Sequence, residues 1–246
     1  MGGSSGYDRW VFRIGGVAAV VGALLGMVGN VIHPVTPIDD PEGVPRVIAE
    51  SGIWVPVHLA IVLGIVLMLG GLVAIRQSIR DGFAGALARF GLVAGVAGAT
   101  IGLVLVILDG VAARQLAQEW AAASPAERDV ALGLVHANET INLALASLFN
   151  FVFAAVTFIL FGLAVVLSDI YPRWLGWVAV LAGVLSVAAG SIQAYVGEPT
   201  GASRVLTIIG PSVITLWLLL MGIGLLREVR GAPIRRVSVE ARRGAA

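Results

Sequence analysis

Three side chains that commonly bind metal ions lie at similar heights on three apolar segments of the sequence. His33, His58 and Asp109 are each separated from an arginine at the other end of the segment by about 18 to 20 residues, or roughly 27–30 Å of helix. That height corresponds to the edge of the hydrocarbon core of a bilayer. Two imidazoles and one carboxylate with an open water position are the ligands of a catalytic zinc site. We therefore predict that these residues bind a divalent metal such as zinc.

Each of these residues also has a simpler interpretation. An acid inside a membrane segment points to function by default, but Asp109 could instead form an ion pair with Arg114 or Arg204. The histidines could mark the membrane boundary, and no compact metal-binding spacing such as H-E-x-x-H joins them. They could also serve as axial ligands of a haem, provided that both face one cavity from opposite sides.

Other polar residues are expected near the same end of the bundle. Asn30, Asn150 and Gln193 complete the predicted ligand-binding pocket, whereas Gln193 and Thr207 could simply be interfacial residues. A second cluster, His136 and Glu139, has the i, i+3 spacing that places two side chains on one helix face. On a straight helix His136 would lie about 20 Å beyond Asn150, so this cluster is either a separate site or a solvated face.

The composition identifies the elements that must position these groups. The 246 residues are 58% hydrophobic and 13% charged, with a mean hydropathy of +0.95, whereas soluble domains carry roughly 25% charged residues. We predict an all-α, polytopic membrane protein of six transmembrane helices arranged as three in-out hairpins. The predicted spans are 14–32, 54–75, 90–113, 141–167, 174–196 and 205–226, within a domain of residues 10–230 that lies between a flexible N-terminus (1–9) and a basic tail (231–246).

A pattern recurs in three of these spans. Each copy has an arginine, small residues 9 and 13 positions later, and a polar residue at position 20, all near one helix face. Small residues four apart let membrane helices pack closely, so the polar residue should face the bundle. The copies are Arg13, Gly22, Gly26 and His33; Arg89, Gly98, Gly102 and Asp109; and Arg173, Ala182, Ser186 and Gln193.

The arginines predict the orientation. Most lie at the end of the bundle that holds both termini, and most acidic residues lie at the other end, which places both termini in the cytoplasm. All 16 cationic residues are arginines, a bias typical of GC-rich bacteria, so we expect a bacterial plasma membrane. Tryptophans near the span ends should form interfacial belts: Trp10, Trp174 and Trp177 inside, and Trp54 outside. The net charge of +1 gives no reason to expect nucleic acid as a partner.

Two segments of the last third resemble a known family. They are Tyr171-Pro-Arg-Trp-Leu-Gly-Trp before the fifth span and Ile-Thr-Leu-Trp-Leu-Leu-Leu-Met-Gly at the end of the sixth. The first resembles the inner turn of an uncharacterised bacterial six-span membrane family. The resemblance implies the topology and no particular chemistry.

Several functions fit this pattern. The first is a non-catalytic protein, a sensor or accessory subunit, whose pocket binds a small ligand, lipid or ion from the outer side. The second is a metal-dependent hydrolase acting at the outer leaflet, and the third is a small-solute transporter, which the apolar inner halves of the spans disfavour. The absence of cysteine and lysine excludes thiolate ligands, cysteine nucleophiles and lysine Schiff bases. Catalytic residues and oligomeric state are not assigned.

Overall fold

The computed structural model describes residues 6–37, 39–197 and 201–229, apart from the side chains of residues 7, 202–204 and 207. These residues form helices and no strands, and six helices are long and apolar enough to cross a membrane. This confirms the predicted fold class. The helices are α1 (Gly6–Ile32), α2 (Gly43–Glu50), α3 (Trp54–Ser78), α4 (Gly82–Ile107), a π-helical turn π1 (Leu108–Ala112), α5 (Ala113–Ala122), α6 (Arg128–Phe149), a π-helical segment π2 (Asn150–Thr157), α7 (Phe158–Leu167), α8 (Arg173–Val196) and α9 (Gly201–Val229).

The six spanning helices form a closed ring in chain order. α1 packs on α3, α3 on α4, α4 on α7 and π2, α7 on α8, α8 on α9, and α9 returns to α1. We call the end with Arg13, Arg89 and Arg173 the arginine end, and the opposite end the histidine end. Toward the arginine end the ring is filled with large apolar side chains, all almost completely buried: Leu72, Ile75, Phe158, Phe161, Trp217, Leu218 and Leu225.

Glycines allow the close approach of the helices. A Cβ atom on Gly22 would lie 2.7 Å from the backbone nitrogen of Met68, and one on Gly98 would lie 2.6 Å from Cα of Phe153. Gly102 packs against the ring of Phe149 in the same way. Gly26 differs, because a Cβ there would make only ordinary contacts, the nearest at 3.5 Å with Thr215. Three of the four predicted glycine contacts are therefore tight, and the fourth is an ordinary van der Waals contact.

Two helical columns extend past the ring at the histidine end. Residues 82–122 and 128–167 form columns of 41 and 40 residues, or about 60 Å each, twice the thickness of the hydrocarbon core. The short helix α2 packs against α5 through Val44, Ile48 and Ala117. Between the columns, the Glu127 carboxylate accepts hydrogen bonds from the Ser124 hydroxyl at 2.7 Å and from the Ser124 backbone N–H at 3.3 Å. The second bond is one half of a capping box, whereas the Ser124 hydroxyl donates to the carboxylate and does not accept from the Glu127 backbone N–H.

The helix α1 begins at Gly6, within the segment through residue 9 that we expected to be flexible. Asp8 is only 7% exposed and forms an ion pair with Arg80, while Gln77 donates a hydrogen bond to the same carboxylate. These contacts hold the first turn of α1 against the end of α3. The predicted tail, 231–246, lies outside the described residues.

Candidate metal centre

His33 and His58 meet because α1 and α3 form a tightly packed antiparallel pair. His33 follows the last residue of α1, and His58 lies one turn into α3. Their Nε2 atoms are 3.2 Å apart. His58 is almost completely buried, at 2% exposed, and His33 is half-buried.

The hydrogen bonds of the two rings fix where their protons lie. Nδ1 of His58 lies 2.7 Å from the backbone carbonyl oxygen of Trp54, and Nδ1 of His33 lies 2.9 Å from that of Pro34. A carbonyl oxygen can only accept, so each Nδ1 must carry the proton and donate it. In the neutral rings both Nε2 atoms therefore carry lone pairs, and those lone pairs are directed at the same small volume.

Asp109 supplies a third acceptor to this volume. Its Oδ2 lies 3.1 Å from Nε2 of His58, and the three ligand atoms lie within 4.8 Å of one another. Burial and the charge that His58 would carry when protonated lower the pKa of His33 below its usual 6.5, partly opposed by Asp109. When both rings are neutral, two nitrogen lone pairs and a carboxylate face one another, and a metal cation would satisfy this arrangement. A proton on Nε2 of His58 would instead form an ion pair with Asp109.

The π-helical turn π1 brings Asp109 to the histidines. A Cβ atom on Gly110 would lie 2.4 Å from Cβ of His58, so glycine is what lets π1 approach α3 at this height. The indole Nε1–H of Trp54 donates to the backbone carbonyl of Asp109 at 2.8 Å. π-Helical turns of this kind are frequent at functional sites.

Trp54 was predicted to lie in an interfacial belt, and that prediction is wrong. Its side chain is 2% exposed, and its ring centroid lies 5.0 Å from that of His33 and 4.9 Å from that of His58. The indole ring of Trp54 therefore packs against one side of the histidine pair. Trp10 and Trp174 are more than half exposed, as lipid-facing tryptophans would be.

A second polar side chain supports the carboxylate. Nδ2 of Asn142 lies 3.5 Å from Oδ1 of Asp109, at the outer limit of a hydrogen bond. Oδ2 faces His58 while Oδ1 faces Asn142, so the two oxygens of Asp109 have separate neighbours. Partners of this kind orient metal ligands.

The alternatives to a metal site can be compared with these positions. The guanidinium of Arg114 donates a hydrogen bond to the backbone carbonyl of Ile48 in the last turn of α2. This bond takes the place of the predicted ion pair between Arg114 and Asp109. The side chain of Arg204 lies outside the described residues. The two imidazole rings meet at 66° with centroids 4.8 Å apart, which leaves no gap between them for a porphyrin plane.

A cavity of about 690 Å³ begins at His33, His58 and Asp109 and extends toward the arginine end. Near these three side chains it is also lined by polar groups from α1, α6 and π2, and the rest of its wall is apolar. His136 and Glu139, the predicted second cluster, line this same cavity. The polar lining comprises Asn30, His33, His58, Asp109, His136, Glu139, Thr140, Asn142 and Asn150.

Gln193 does not line the cavity. Its side chain is 7% exposed, and its Oε1 accepts a hydrogen bond at 2.8 Å from Nδ2 of Asn150, which does line it. Gln193 thus holds Asn150 by a hydrogen bond from within the bundle. The third copy of the repeated pattern therefore ends in a side chain that packs within the bundle, while the first two copies end in candidate ligands.

Sequence reasoning missed the supporting roles of Trp54, Gly110 and Asn142. The glycine directly after an intramembrane acid was a usable signal, because glycine permits close approach of another helix. Asn142 lies three residues after Glu139, a spacing that places the two side chains on the same helix face. Nothing in the sequence indicated that the Trp54 indole would reach the backbone of π1.

The fold and the site together define a six-span helical membrane protein with a histidine–aspartate cluster at one end of its bundle. The sequence matches the family described as Domain of unknown function (DUF4386) over residues 14–222, and the chain belongs to that family. The matched region contains the three candidate ligands and all of the polar cavity lining. No curated protein and no solved structure matches the sequence.

Proposed function

We propose that this protein binds a divalent metal ion, most naturally zinc, through Nε2 of His33, Nε2 of His58 and a carboxylate oxygen of Asp109. The observation that carries the proposal is the convergence of three acceptor atoms within 4.8 Å while both Nδ1 protons are committed to backbone carbonyls. Ligating histidines generally donate their other ring N–H to such a partner. Zinc accepts imidazole and carboxylate ligands at about 2.0–2.2 Å.

The ligand count favours a site that binds something further. Structural zinc sites usually have four protein ligands, whereas catalytic sites have three and an open position for water or substrate. Here three side chains converge, and the cavity begins beside them. The ion would therefore be accessible to a small molecule or lipid in the cavity.

The orientation belongs to the same proposal. The arginine distribution supports cytoplasmic termini in a bacterial plasma membrane. In this orientation the histidine end and its cavity would face the outer side. The packed apolar side chains at the arginine end support ligand binding over transport, because a transport pathway needs polar lining on both sides of its site. A metal-dependent hydrolase is the second candidate, favoured by the open coordination position and by Glu139 in the same cavity.

Metal content tests the proposal directly. The protein should be purified with a tag that contains no histidine, dialysed against metal-free buffer, loaded with Zn²⁺ or Co²⁺, and measured by elemental analysis. We expect one ion per chain, and visible d–d absorption of Co²⁺ typical of mixed nitrogen and oxygen ligands. The variants His33→Ala, His58→Ala and Asp109→Asn should each lose the ion.

Matched controls exist within the chain. The sequence contains three histidines, so His136→Ala removes the one that is not a predicted ligand, and Asp129→Asn removes an exposed carboxylate from the start of α6. Both controls should keep the ion. Equal metal content in the folded wild type and the His58→Ala variant would overturn the proposal.

A further inference from the structure

We infer that the cavity holds the acyl chain of an amphiphile and that the protein hydrolyses the ester or amide bond next to that chain. This inference rests on the proposed metal site and assigns its substrate class. It follows from the division of the cavity into a polar end and an apolar chamber. The residues that line the chamber include Ile61, Ile65, Met68, Ala146, Phe149 and Phe153.

The chamber is apolar even where its lining residues carry polar atoms. Thr215 directs its hydroxyl to the carbonyl oxygens of Pro211 and Ser212, each at 2.9 Å. Its methyl group is the atom nearest to the position of a Cβ on Gly26, at 3.5 Å. The floor of the chamber therefore presents methyl and methylene groups.

The depth of the chamber points to a long substrate. Met68 lies ten residues along α3 from His58, about 15 Å deeper in the bundle. A space this apolar does not hold ordered water, while the total volume of 690 Å³ is within the range of about 300–1,000 Å³ typical of ligand pockets. Within a bilayer, an alkyl chain is the ligand that matches an apolar space with one polar end.

The role of general base is assigned to Glu139. Its side chain lines the same cavity as Asp109 and His136. We assign it to accept a proton from the water that attacks the carbonyl carbon. The bond from that carbon to the ester oxygen or amide nitrogen then breaks, and the proton passes to this leaving group, giving a carboxylic acid and an alcohol or amine. The bound cation would supply polarisation of the carbonyl oxygen and of the water.

Chain-length dependence tests the substrate class. The zinc-loaded protein should be assayed with 4-methylumbelliferyl palmitate and 4-methylumbelliferyl acetate, and for binding of a fluorescent long-chain fatty acid, which resembles the acid product. Ala146 lines the chamber, whereas Ala144 lies on the exposed face of the same helix. We expect Ala146→Phe to abolish palmitate hydrolysis and fatty-acid binding while acetate hydrolysis continues, and Ala144→Phe to change neither.

Glu139 is tested separately. Glu139→Gln should retain the metal ion and the fatty acid but lose at least about a hundredfold in kcat, the usual contribution of a general base. The exposed Glu119 provides the matched Glu119→Gln control, which should turn over normally. Full activity of Glu139→Gln would overturn its assignment.

The two proposals fail in different ways. Protein that retains no metal contradicts the metal site itself, whatever the substrate. Protein that binds one ion at the three ligands, but neither binds the fatty acid nor hydrolyses the palmitate ester, leaves the metal site standing and overturns the acyl-chain inference. Equal effects of Ala146→Phe and Ala144→Phe on palmitate turnover would also overturn it.

Discussion

His33 and His58 direct their Nε2 lone pairs at each other across 3.2 Å, while each ring donates its Nδ1 proton to a backbone carbonyl. When both rings are neutral, two lone pairs at this distance repel unless a cation lies between or beside them. Asp109 adds negative charge to the same volume. The stability of this end of the bundle is therefore expected to depend on a bound cation.

Chelation should lower the melting temperature of the wild-type protein in detergent. A ligand that binds only the folded state at a hundred times its Kd stabilises that state by about 2.7 kcal/mol. Scanning fluorimetry with and without a chelator measures the difference. His58→Ala, which has no site to empty, should melt at the same temperature in both conditions. A chelator effect of equal size in that variant would contradict the prediction.

Acid should release the metal. Protons compete with the ion for the imidazole nitrogens. Burial and His58 lower the pKa of His33, so this ring becomes protonated only at a pH below its ordinary pKa. Metal retention should be constant at neutral pH and fall only as the pH drops below about 6.5. Equilibrium dialysis across a pH series measures this. A decline in metal retention as the pH rises from 6 toward 8 would contradict this prediction.

Trp54→Phe should weaken the metal site without dismantling the bundle. The change removes the indole donor and leaves the Asp109 carbonyl without its 2.8 Å partner. Loss of a buried partner costs about 1–3 kcal/mol, and loss of support around metal ligands typically reduces affinity about 10- to 100-fold. Competition with a chromophoric chelator gives the affinity. The lipid-exposed Trp174→Phe is the control, and an equal change in both variants would refute a specific role for Trp54.

Gly98→Leu should destabilise the ring between α4 and π2. Even the Cβ of the new side chain would lie 2.6 Å from the Cα and N of Phe153, so the two backbones must separate. Overpacking of this kind costs typically about 1–3 kcal/mol, occasionally more, and should appear as a lower melting temperature. Gly224→Leu is matched for residue type, because no atom lies within 4 Å of a Cβ at Gly224. Similar melting temperatures for the two variants would count against the packing argument.

Labelling of single cysteines tests the orientation. The natural chain has no cysteine, so each introduced thiol reports one position. Asp39 and Asp81 are exposed in loops at opposite ends of the bundle. In intact cells, an impermeant maleimide should label Asp39→Cys and should reach Asp81→Cys only after lysis. The reverse pattern would place the histidine end in the cytoplasm and contradict the arginine-based orientation.

The sequence by itself determined the architecture, because membrane spans are set by local properties. Six apolar stretches of sufficient length specify six helices, since a backbone in lipid must satisfy its hydrogen bonds within each segment. The same local reasoning identified Gly22, Gly98 and Gly102 as contact residues. It also placed His33, His58 and Asp109 at one height, because height depends only on the number of residues along each helix.

Only the tertiary structure decided which residues at that height meet. Height does not specify the rotation of a helix or its neighbours in the ring. His33 and Asp109 face the cavity, while Gln193, at the same point of the repeated pattern, supports Asn150 from behind. The π-helical turn at residues 108–112 and the inward position of Trp54 depend on contacts between residues about 50 positions apart in the chain. Such contacts arise from packing of the whole ring, and no local pattern encodes them.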